Sequence, residues 1–304
     1  PHYMYVGARN HSVSFTDLLV EKFGPPRQRD EEILNRHKNV AFAIQQRLEM
    51  TLERVITAYL KKTKHRNLCL AGGVALNCKA NGFIWTKLNK TKLLDKMFVY
   101  PLATDDGIGI GSCMIYHQSL ERDMSKFKLD NVYLGPSFEN VEIGKAISDF
   151  KLRNSFKNEK QYESIIKTLG LNITTGSELK ETLNSNQRNK IDLQIERTFA
   201  NIKVEGDIIT KVASLLAEDK IVAWFQGRME VGPRALGNRS ILANPSSIEA
   251  KNKTNSKVKF REEWRPFCPT VLDYEAENFF VDTTECPYMI IAFDTLQNKR
   301  DIIP

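Results

Sequence analysis

No apolar stretch in the sequence approaches the roughly 18 residues that a membrane-spanning helix needs. The first residues, PHYMYVGARN, contain neither the basic region nor the apolar core of a secretory signal. The five cysteines are odd in number, widely spaced and without a C-x-x-C pair, which argues against a disulfide framework and against a thiolate zinc site. We therefore expect a soluble protein of the reducing cytoplasm, with no membrane partner.

Alternation of basic and aromatic residues, which would suit the stacking of bases, is also missing. The net charge of +7 permits a polyanionic partner, because clustered Lys and Arg attract phosphate groups. However, much of the lysine lies in segments such as KLRNSFKNEKQYESIIKTLG, where it is mixed with Glu and Asn. This pattern is typical of a solvated surface, so nucleic-acid binding is disfavoured.

The first half of the chain predicts a layered α/β domain over residues 1–131. The chain has 304 residues with 41% hydrophobic and 27% charged content, which suits about two globular domains. Residues 37–60 have the periodicity of an amphipathic helix, and its apolar face comprises Val40, Ile44, Leu48, Val55 and Tyr59. LCLAGG followed by VALNCKANGFIWTKL predicts a strand, a glycine turn and a helix, and KMFVYPLATDDGIGIGSCMIYHQSL repeats that order.

The second half, residues 132–304, predicts a separate α/β domain that begins at YLGPSFEN. Residues 151–205 are rich in Asn, Lys and Glu and indicate a polar insertion. GDIITKVASLLAEDK is typical of a helix, and the following IVAWF is typical of a buried strand. PYMIIAFDT, close to the last residue, also has the pattern of a strand.

Two turns in the first half contain residues that suit ligand binding. In AGGVALN, Gly72 and Gly73 lie between a strand and a helix, where backbone N–H groups can approach an anion or a nucleotide without a Cβ in the way. Asn77 adds a side-chain hydrogen bond. A tight turn without a ligand explains a lone Gly-Gly pair equally simply, and taken alone it is the better explanation.

In ATDDGIGIG, Asp105 and Asp106 precede a helix. One carboxylate would cap that helix by accepting from its free N–H groups, which is the favoured explanation when the segment is taken alone. Alternatively, one of them is a ligand to a hard or borderline cation. The glycines have the spacing G-x-G-x-G, which is not the dinucleotide-binding pattern G-x-G-x-x-G.

The segment FQGRMEVGPRALGNRS, residues 225–240, contains three arginines and three glycines. Flexible backbone amides and the forked donors of Arg228, Arg234 and Arg239 would suit convergence on one small oxyanion. The alternative is a solvated surface of ion pairs, which contributes little to stability or binding.

KVKFREEWRPF adds Lys259, Arg261 and Arg265 within seven residues. Lys259 and Arg261 share a face if this segment is extended. The three nearby glutamates cannot neutralise six cations, so a phosphate or acyl-phosphate site is favoured.

Four segments taken together resemble the NodU/CmcH-type O-carbamoyltransferase family. They are LCLAGGVALNCKANG, PLATDDGIGIG, WFQGRMEVGPRALGNRSILANP and VKFREEWRPFCPTVL, and they occur in the family's order. EKFGPPRQRDEEILNRHKNVAFAIQQRLE resembles the segment that precedes them. The similarity runs from about residue 20 to the end and is interrupted mainly by residues 151–205.

The resemblance implies a two-domain enzyme. The first domain would be part of an ASKHA (actin-like ATPase) fold, similar to the tRNA threonylcarbamoyl transferase, and the second a YrdC-like twisted α/β domain. The YrdC-like domain of this family joins carbamoyl phosphate and ATP into carbamoyl adenylate. The ASKHA domain then passes the carbamoyl group to a hydroxyl of a small-molecule acceptor, with help from a divalent metal of the iron, magnesium or manganese class.

The resemblance also implies roles for individual residues. Lys259, Arg265 and Arg234 would act on carbamoyl phosphate as catalytic residues. The residues that line the same pocket and bind carbamoyl phosphate and ATP would be Arg228, Arg239, Ser240 and Arg261. In the first domain, Gly72, Gly73 and Asn77 would contact a nucleotide, and Asp105 would be a metal ligand.

The family's H-x-x-x-H pair is absent from this sequence. We therefore expect these residues to represent an internal piece of a longer enzyme, inactive by itself. Two alternatives stay open, namely a tRNA-modifying relative and a non-enzymatic module that binds anions or nucleic acid. The sequence also leaves open a homodimer and the identity of the acceptor.

Overall fold

The computed structural model describes residues 16–28, 31–123, 129, 131–139, 141–146, 207–262 and 264–303. The predicted polar insertion, residues 151–205, lies outside them. The chain divides into two compact units, one comprising Pro1–Lys126 and Val271–Gln297, the other Phe127–Thr270 and Asn298–Pro304. The first break lies near the predicted boundary, whereas residues 271–297 belong to the first unit and not to an uninterrupted second domain.

The first unit has the predicted order of helix, strand, turn and helix, followed by a second strand, turn and helix. Its elements are α1 (Asp17–Phe23), α2 (Asn35–Thr63), β1 (Asn67–Leu70), α3 (Cys78–Lys90), β2 (Lys96–Val99) and α4 (Ile108–Ser119). Short 3₁₀ turns at Gly73–Leu76 and Asp105–Gly107 precede α3 and α4. β1 and β2 are parallel, with Leu68 opposite Met97. This order places both glycine-containing turns after the strands, as the sequence predicts.

Helix α3 forms the core of the first unit, where its buried side chains include Ile84, Trp85 and Leu88. Asn81 Nδ2 donates to the carbonyl oxygens of Ala75 at 2.7 Å and Ile290 at 2.8 Å. Trp85 Nε1 donates to the carbonyl of Asp282 at 2.7 Å. Residues 271–297 are thus held against α3 by one buried and one partly buried hydrogen bond.

The helix predicted over residues 37–60 is confirmed as α2, but its predicted apolar face is not the face that is buried. Ile56 and Leu60 are buried, whereas Ile44 and Tyr59 are exposed. The reason is that α2 packs against α3 with the adjacent side of the helix. The periodicity of the sequence identifies the helix, whereas its packing against α3 determines which face of α2 is buried.

PYMIIAFDT does not form the predicted strand. In its place, an isolated antiparallel bridge joins Phe280 and Thr295, and Leu296 donates its backbone N–H to the Phe279 carbonyl at 2.9 Å. Tyr288 and Ile290 are nevertheless buried, because the segment packs on α3. Its apolar pattern therefore reflects burial without strand pairing.

The second unit contains α5 (Ile208–Ala217), β3 (Val222–Phe225), β4 (Arg239–Leu242) and α6 (Ile248–Lys253), which continues into a π-helical turn at Thr254–Val258. β3 and β4 are antiparallel, with Phe225 opposite Arg239. The helix and the strand predicted before the arginine-rich segment are confirmed. The predicted burial of the strand is wrong, because one face of β3 is exposed, including Phe225.

Two further 3₁₀ helices occupy Asp273–Asn278 and Gln297–Lys299. In the part of the chain described above, no helix is both long and apolar enough to cross a bilayer. The mixed helix and strand content agrees with the predicted α/β class, while the ASKHA and YrdC-like assignments stay predictions.

Candidate functional site

The glycine turn after β1 requires glycine and leaves space beside it. Gly72 has a φ of +89°, which side chains rarely adopt, and its N–H donates to the Ala103 carbonyl at 2.7 Å. An ideal Cβ built on Gly72 or on Gly73 would meet no atom within 4 Å. The turn is therefore open to a ligand, and its bond to Ala103 brings it beside the aspartate loop.

Asn77 is the N-cap of α3, and its side chain is engaged within the protein. Its Oδ1 accepts from the backbone N–H of Ala80 at 3.0 Å. Its Nδ2 donates to Gln45 Oε1 at 2.8 Å, and Gln45 Nε2 donates back to Oδ1 at 3.2 Å. Asn77 thus holds α2 against the start of α3, and its contact with a nucleotide stays a prediction.

The aspartate loop does not cap α4 with a carboxylate. The N-cap position is Gly107, without a side-chain cap bond, and Asp106 Oδ2 accepts instead from Thr104 Oγ1 at 3.1 Å. Gly107 itself is required, because an ideal Cβ there would lie 2.3 Å from the carbonyl oxygen of Leu102. The capping alternative, favoured from the segment alone, is therefore wrong for both aspartates.

Asp105 is exposed on the 3₁₀ turn. An exposed carboxylate fits a hard cation as one ligand. Within the described ranges, however, no group of three or more His, Cys, Asp or Glu residues could hold a metal ion. Asp105 could therefore supply one ligand to the metal expected from the family resemblance, but the described residues around it do not complete a metal site.

The arginine loop, defined here as residues 225–240, is built around the side chain of Glu230. Glu230 as a whole residue is only 7% exposed. Its Oε1 accepts from the backbone N–H groups of Leu236 at 2.8 Å, Asn238 at 2.7 Å and Arg239 at 3.2 Å. The backbone amides of the loop do converge on an oxyanion, as the sequence predicts, but that oxyanion is the protein's own carboxylate.

Burial by itself raises the pKa of Glu230, but the hydrogen bonds from the backbone N–H groups of Asn238, Glu230 itself, Leu236 and Arg239 together outweigh it, so the pKa is lowered. The sequence analysis treated Glu230 only as a charge that offsets the arginines. A single acid inside a glycine-rich loop is the sequence signal that points to this arrangement, because its carboxylate can accept from several backbone N–H groups at once.

Arg228 and Arg239 each donate to backbone carbonyls. Arg228 donates from Nε to Gly135 at 2.9 Å and from Nη2 to Leu134 at 3.1 Å. Arg239 donates from Nη1 to the carbonyls of Gln226 at 2.6 Å and Asn238 at 2.9 Å, and from Nη2 to Gly227 at 3.2 Å. Both guanidiniums therefore shape the arginine loop, and their contact with carbamoyl phosphate stays a prediction.

Arg234 is half-buried in the same loop. Ser240 lies on β4, and its Oγ accepts from the backbone N–H of Gly237 at 2.9 Å. Gly237 has a φ of +109°, which the turn back into β4 requires. Ser240 thus supports the glycine turn from which β4 starts.

The basic loop, residues 259–265, is organised by Asn255, which is fully buried (0% exposed). Asn255 Oδ1 accepts from Arg261 Nε at 2.7 Å, and Asn255 Nδ2 donates to the carbonyl of Arg265 at 2.9 Å. The Arg265 guanidinium pairs with Glu262 at 2.9 Å, and both side chains are about half exposed. A π-helical turn is often associated with functional sites, and Asn255 lies on one.

The segment that contains Lys259 and Arg261 is not extended. The condition under which these two side chains would share a face is therefore not met. Lys259 follows the π-helical turn with helical φ and ψ, and Phe260 has a φ of 49°. The Lys259 side chain is exposed. Arg261 lies over the Phe267 ring with its guanidinium carbon 4.7 Å from the ring centre. Side chains in this loop are therefore placed by Asn255 and by aromatic contacts, not by strand alternation.

The contacts gather the predicted residues into three groups. Arg228, Arg239 and Ser240 belong to the arginine loop, and Arg261 and Arg265 share Asn255. Gly72, Gly73 and Asn77 lie in the first unit beside the loop that contains Asp105. Glu230, Asn255 and Gln45 are the residues that sequence reasoning missed.

Both halves of the chain match models of enzymes that transfer carbamoyl groups. Residues 8–114 match the carbamoyltransferase N-terminus, and residues 213–304 match the carbamoyltransferase C-terminus. The chain belongs to the carbamoyltransferase family. The family resemblance stated from the four sequence segments is thus confirmed.

Individual relatives agree with this assignment. An uncharacterized protein of Synechocystis is 33% identical over 94% of this chain and 39% of its own length. Nodulation protein NolO of Bradyrhizobium diazoefficiens is 31% identical over 91% of this chain and 42% of its own length. Nodulation protein U of Sinorhizobium fredii is 31% identical over 79% of this chain and 32% of its own length. The chain therefore spans about two fifths, or less, of the length of these relatives.

Proposed function

We propose that the protein catalyses ATP-dependent O-carbamoyl transfer. Carbamoyl phosphate, ATP and one water would yield carbamoyl adenylate, inorganic phosphate and pyrophosphate, and the carbamoyl group would then pass to a hydroxyl of a small-molecule acceptor. The observation that carries the proposal is that one chain combines the two carbamoyltransferase matches with two structured basic loops in its second unit.

The basic loops supply what the adenylate-forming step needs. Charge that develops on phosphate oxygens is stabilised best by cations that are fixed before the reaction. Arg234 stands on a loop that Glu230 fixes, and Asn255 fixes the backbone of Arg265 and the side chain of Arg261. Lys259 adds an exposed cation at the start of the basic loop. We assign carbamoyl phosphate and the phosphates of ATP to these residues.

The first unit would bind a nucleotide during transfer to the acceptor. Gly72 and Gly73 allow backbone N–H groups to approach a phosphate closely, since no atom occupies the space beside them. Asp105 would contribute one carboxylate ligand to a divalent cation, which would polarise the transferred group when bound. The adjacent Ala103 carbonyl holds the glycine turn in place.

The two half-reactions provide the test, carried out on the complete protein that contains this chain. Incubation with carbamoyl phosphate and ATP should release phosphate and pyrophosphate without an acceptor, and each product should depend on both substrates. Asp105→Asn should preserve this release and lower transfer to an added hydroxyl compound about a hundredfold, as expected when a ligand of a catalytic metal loses its charge. Asp106→Asn is the matched control, because it changes the neighbouring carboxylate in the same way.

Failure of carbamoyl phosphate to support pyrophosphate release would refute the proposed reaction. Equal loss of both half-reactions in Asp105→Asn would instead refute the separation of their sites. The tRNA-modifying alternative predicts transfer to a tRNA in place of a small hydroxyl compound, so offering each acceptor in the same assay distinguishes the two.

A further inference from the structure

Glu230 is a buried charged group for which the proposed reaction has no direct use. Its Oε1 accepts from residues six, eight and nine positions further along the chain. These three residues lie two to five positions after Arg234, and the last of them is Arg239. One carboxylate oxygen therefore fixes the stretch of backbone that carries Arg239 and that begins two residues after Arg234, and both arginines are predicted to bind the ligand.

Other contacts extend this arrangement across the whole arginine loop. Asn238 Nδ2 donates to the carbonyl of Arg228 at 2.7 Å, and the Gln226 backbone N–H donates to the Asn238 carbonyl at 3.0 Å. The Gly237 N–H donates to Ser240 Oγ. Consecutive amides from Leu236 to Arg239 are thus all oriented by side chains, and Glu230 orients three of the four.

We propose that Glu230 is a positioning residue, whose carboxylate holds the backbone of residues 236–239 so that Arg234 and Arg239 are presented to a phosphate-containing substrate. The inference rests on the proposed function for the identity of that substrate, carbamoyl phosphate. It assigns no contact with the substrate to Glu230 itself. Glu230 acts through the loop.

Negative charge is needed at this position because the three N–H groups share one acceptor atom. Hydrogen bonds to an ionised acceptor are about twice as strong as those to a neutral one. The lowered pKa of Glu230 has the same origin, since the bonds stabilise its charged form. A misplacement of about 1 Å in a binding loop is enough to cost roughly a hundredfold in rate.

The decisive variant is Glu230→Gln, which keeps the size of the side chain and removes the charge. Glu218→Gln is the matched control, because Glu218 is an exposed acid of the same unit outside the loop. Glu230→Asp is a second variant, which keeps the charge and withdraws the carboxylate by one methylene. All are made in the complete protein, and circular dichroism selects those that fold.

Three measurements are compared. Hydrogen exchange followed by mass spectrometry reports the amides of residues 236–239. Release of phosphate and pyrophosphate gives kcat and KM for carbamoyl phosphate, and calorimetric titration with inorganic phosphate gives a Kd that does not require turnover. We expect faster exchange confined to the loop, and a rise of about tenfold or more in both KM and Kd, in Glu230→Gln. Glu218→Gln should match the parent protein.

Unchanged exchange in Glu230→Gln, or faster exchange with unchanged KM and Kd, overturns the positioning role. If Glu230→Gln does not fold, the same criteria apply to Glu230→Asp. An unaltered parent protein that binds inorganic phosphate but does not use carbamoyl phosphate contradicts the proposed reaction and leaves the Kd comparison to decide the role of Glu230. A parent protein that binds neither inorganic phosphate nor carbamoyl phosphate overturns both the proposed reaction and the positioning role of Glu230.

Discussion

The guanidinium carbon of Arg239 lies 3.5 Å from the centre of the Phe225 ring, and the two residues are direct partners in the register of β3 and β4. A cation over an aromatic face is attractive, and Arg stacks in this way more readily than Lys. The same guanidinium donates to carbonyls of the loop that joins the two strands. Arg239 therefore links the end of the strand pair to the loop that follows β3.

Arg239→Lys should destabilise the protein although it preserves the charge. Lysine cannot reproduce the planar stack or three directed bonds to carbonyls, so we expect the free energy of unfolding to fall by about 1–3 kcal/mol. Urea unfolding followed by tryptophan fluorescence measures it. Arg300→Lys, at an exposed position of the same unit, should change stability by less than about 0.5 kcal/mol. Equal effects of the two substitutions would show that Arg239 is only a surface charge.

Arg265→Ala should lower carbamoyl-phosphate-dependent release of pyrophosphate by about one to two orders of magnitude. A charge-assisted hydrogen bond to an anion contributes roughly 1.5–3 kcal/mol, whereas the half-exposed pair with Glu262 contributes at most about 1 kcal/mol. The guanidinium can therefore exchange Glu262 for a phosphate at low cost.

Arg265→Lys should recover part of that release, because the charge returns without the bidentate fork. Lys220→Ala removes an exposed cation of the same unit and serves as the control. Identical rates for Arg265→Ala and Lys220→Ala in folded proteins would exclude Arg265 from the substrate site.

Gly82 and Gly109 provide a matched pair of helical glycines with opposite expectations. An ideal Cβ on Gly82 would lie 2.0 Å from the carbonyl oxygen of Ala292, whereas one on Gly109 would meet no atom within 4 Å. Gly82→Ala should therefore cost about 1–3 kcal/mol through overpacking. Gly109→Ala should stabilise α4 by about 0.5–1 kcal/mol through higher helix propensity. Urea unfolding measures the change in unfolding free energy of both variants. An unchanged free energy in Gly82→Ala would contradict the packing of residues 271–297 on α3.

Glu230 should make stability depend on pH in the acid range. Its pKa is lower in the folded protein than in the unfolded chain, where the pKa of a glutamate is about 4.3. The folded state therefore binds the proton more weakly, and the stabilisation is fully present above the unfolded pKa and is lost as pH falls through the folded pKa.

The measurement compares unfolding free energies of the parent protein and Glu230→Gln from pH 7 down to about pH 3. Their difference should stay constant down to about pH 5 and shrink below it. A difference that grows with acidity would mean that the folded state raises the pKa of Glu230, contrary to the hydrogen bonds it accepts.

The sequence predicts α2, α3, α4 and α5 because helical periodicity and glycine turns are local properties. It does not predict which face of α2 is buried, since that depends on α3 and not on the helix itself. The segment around Tyr288 has the composition of a strand but is buried without one, because its partner is the side of a helix. Tertiary contacts decide these cases.

In the candidate site, too, local features can be predicted from the sequence and tertiary contacts cannot. Its basic residues and glycines are visible in the sequence, whereas the role of Glu230 depends on three amides meeting at one oxygen after the chain has turned back. The π-helical turn that places Asn255 beside Arg261 likewise has no local signature, so the sequence left open whether the segment of Lys259 and Arg261 is extended. Two arginines expected to bind substrate also hold backbone carbonyls, Arg228 at residues 134–135 and Arg239 within the arginine loop, which no local pattern predicts.

The hydrogen bonds from Asn81 to Ile290 and from Trp85 to Asp282 span 209 and 197 residues. A ribosome that adds about 5–20 residues per second needs roughly 10–40 s to cover such a distance. During that interval α3 has left the ribosome while the acceptors for its buried amide and indole groups have not yet been synthesised. Residues 127–270, the larger part of the second unit, lie between them in the chain and are therefore synthesised before the segment that completes these contacts.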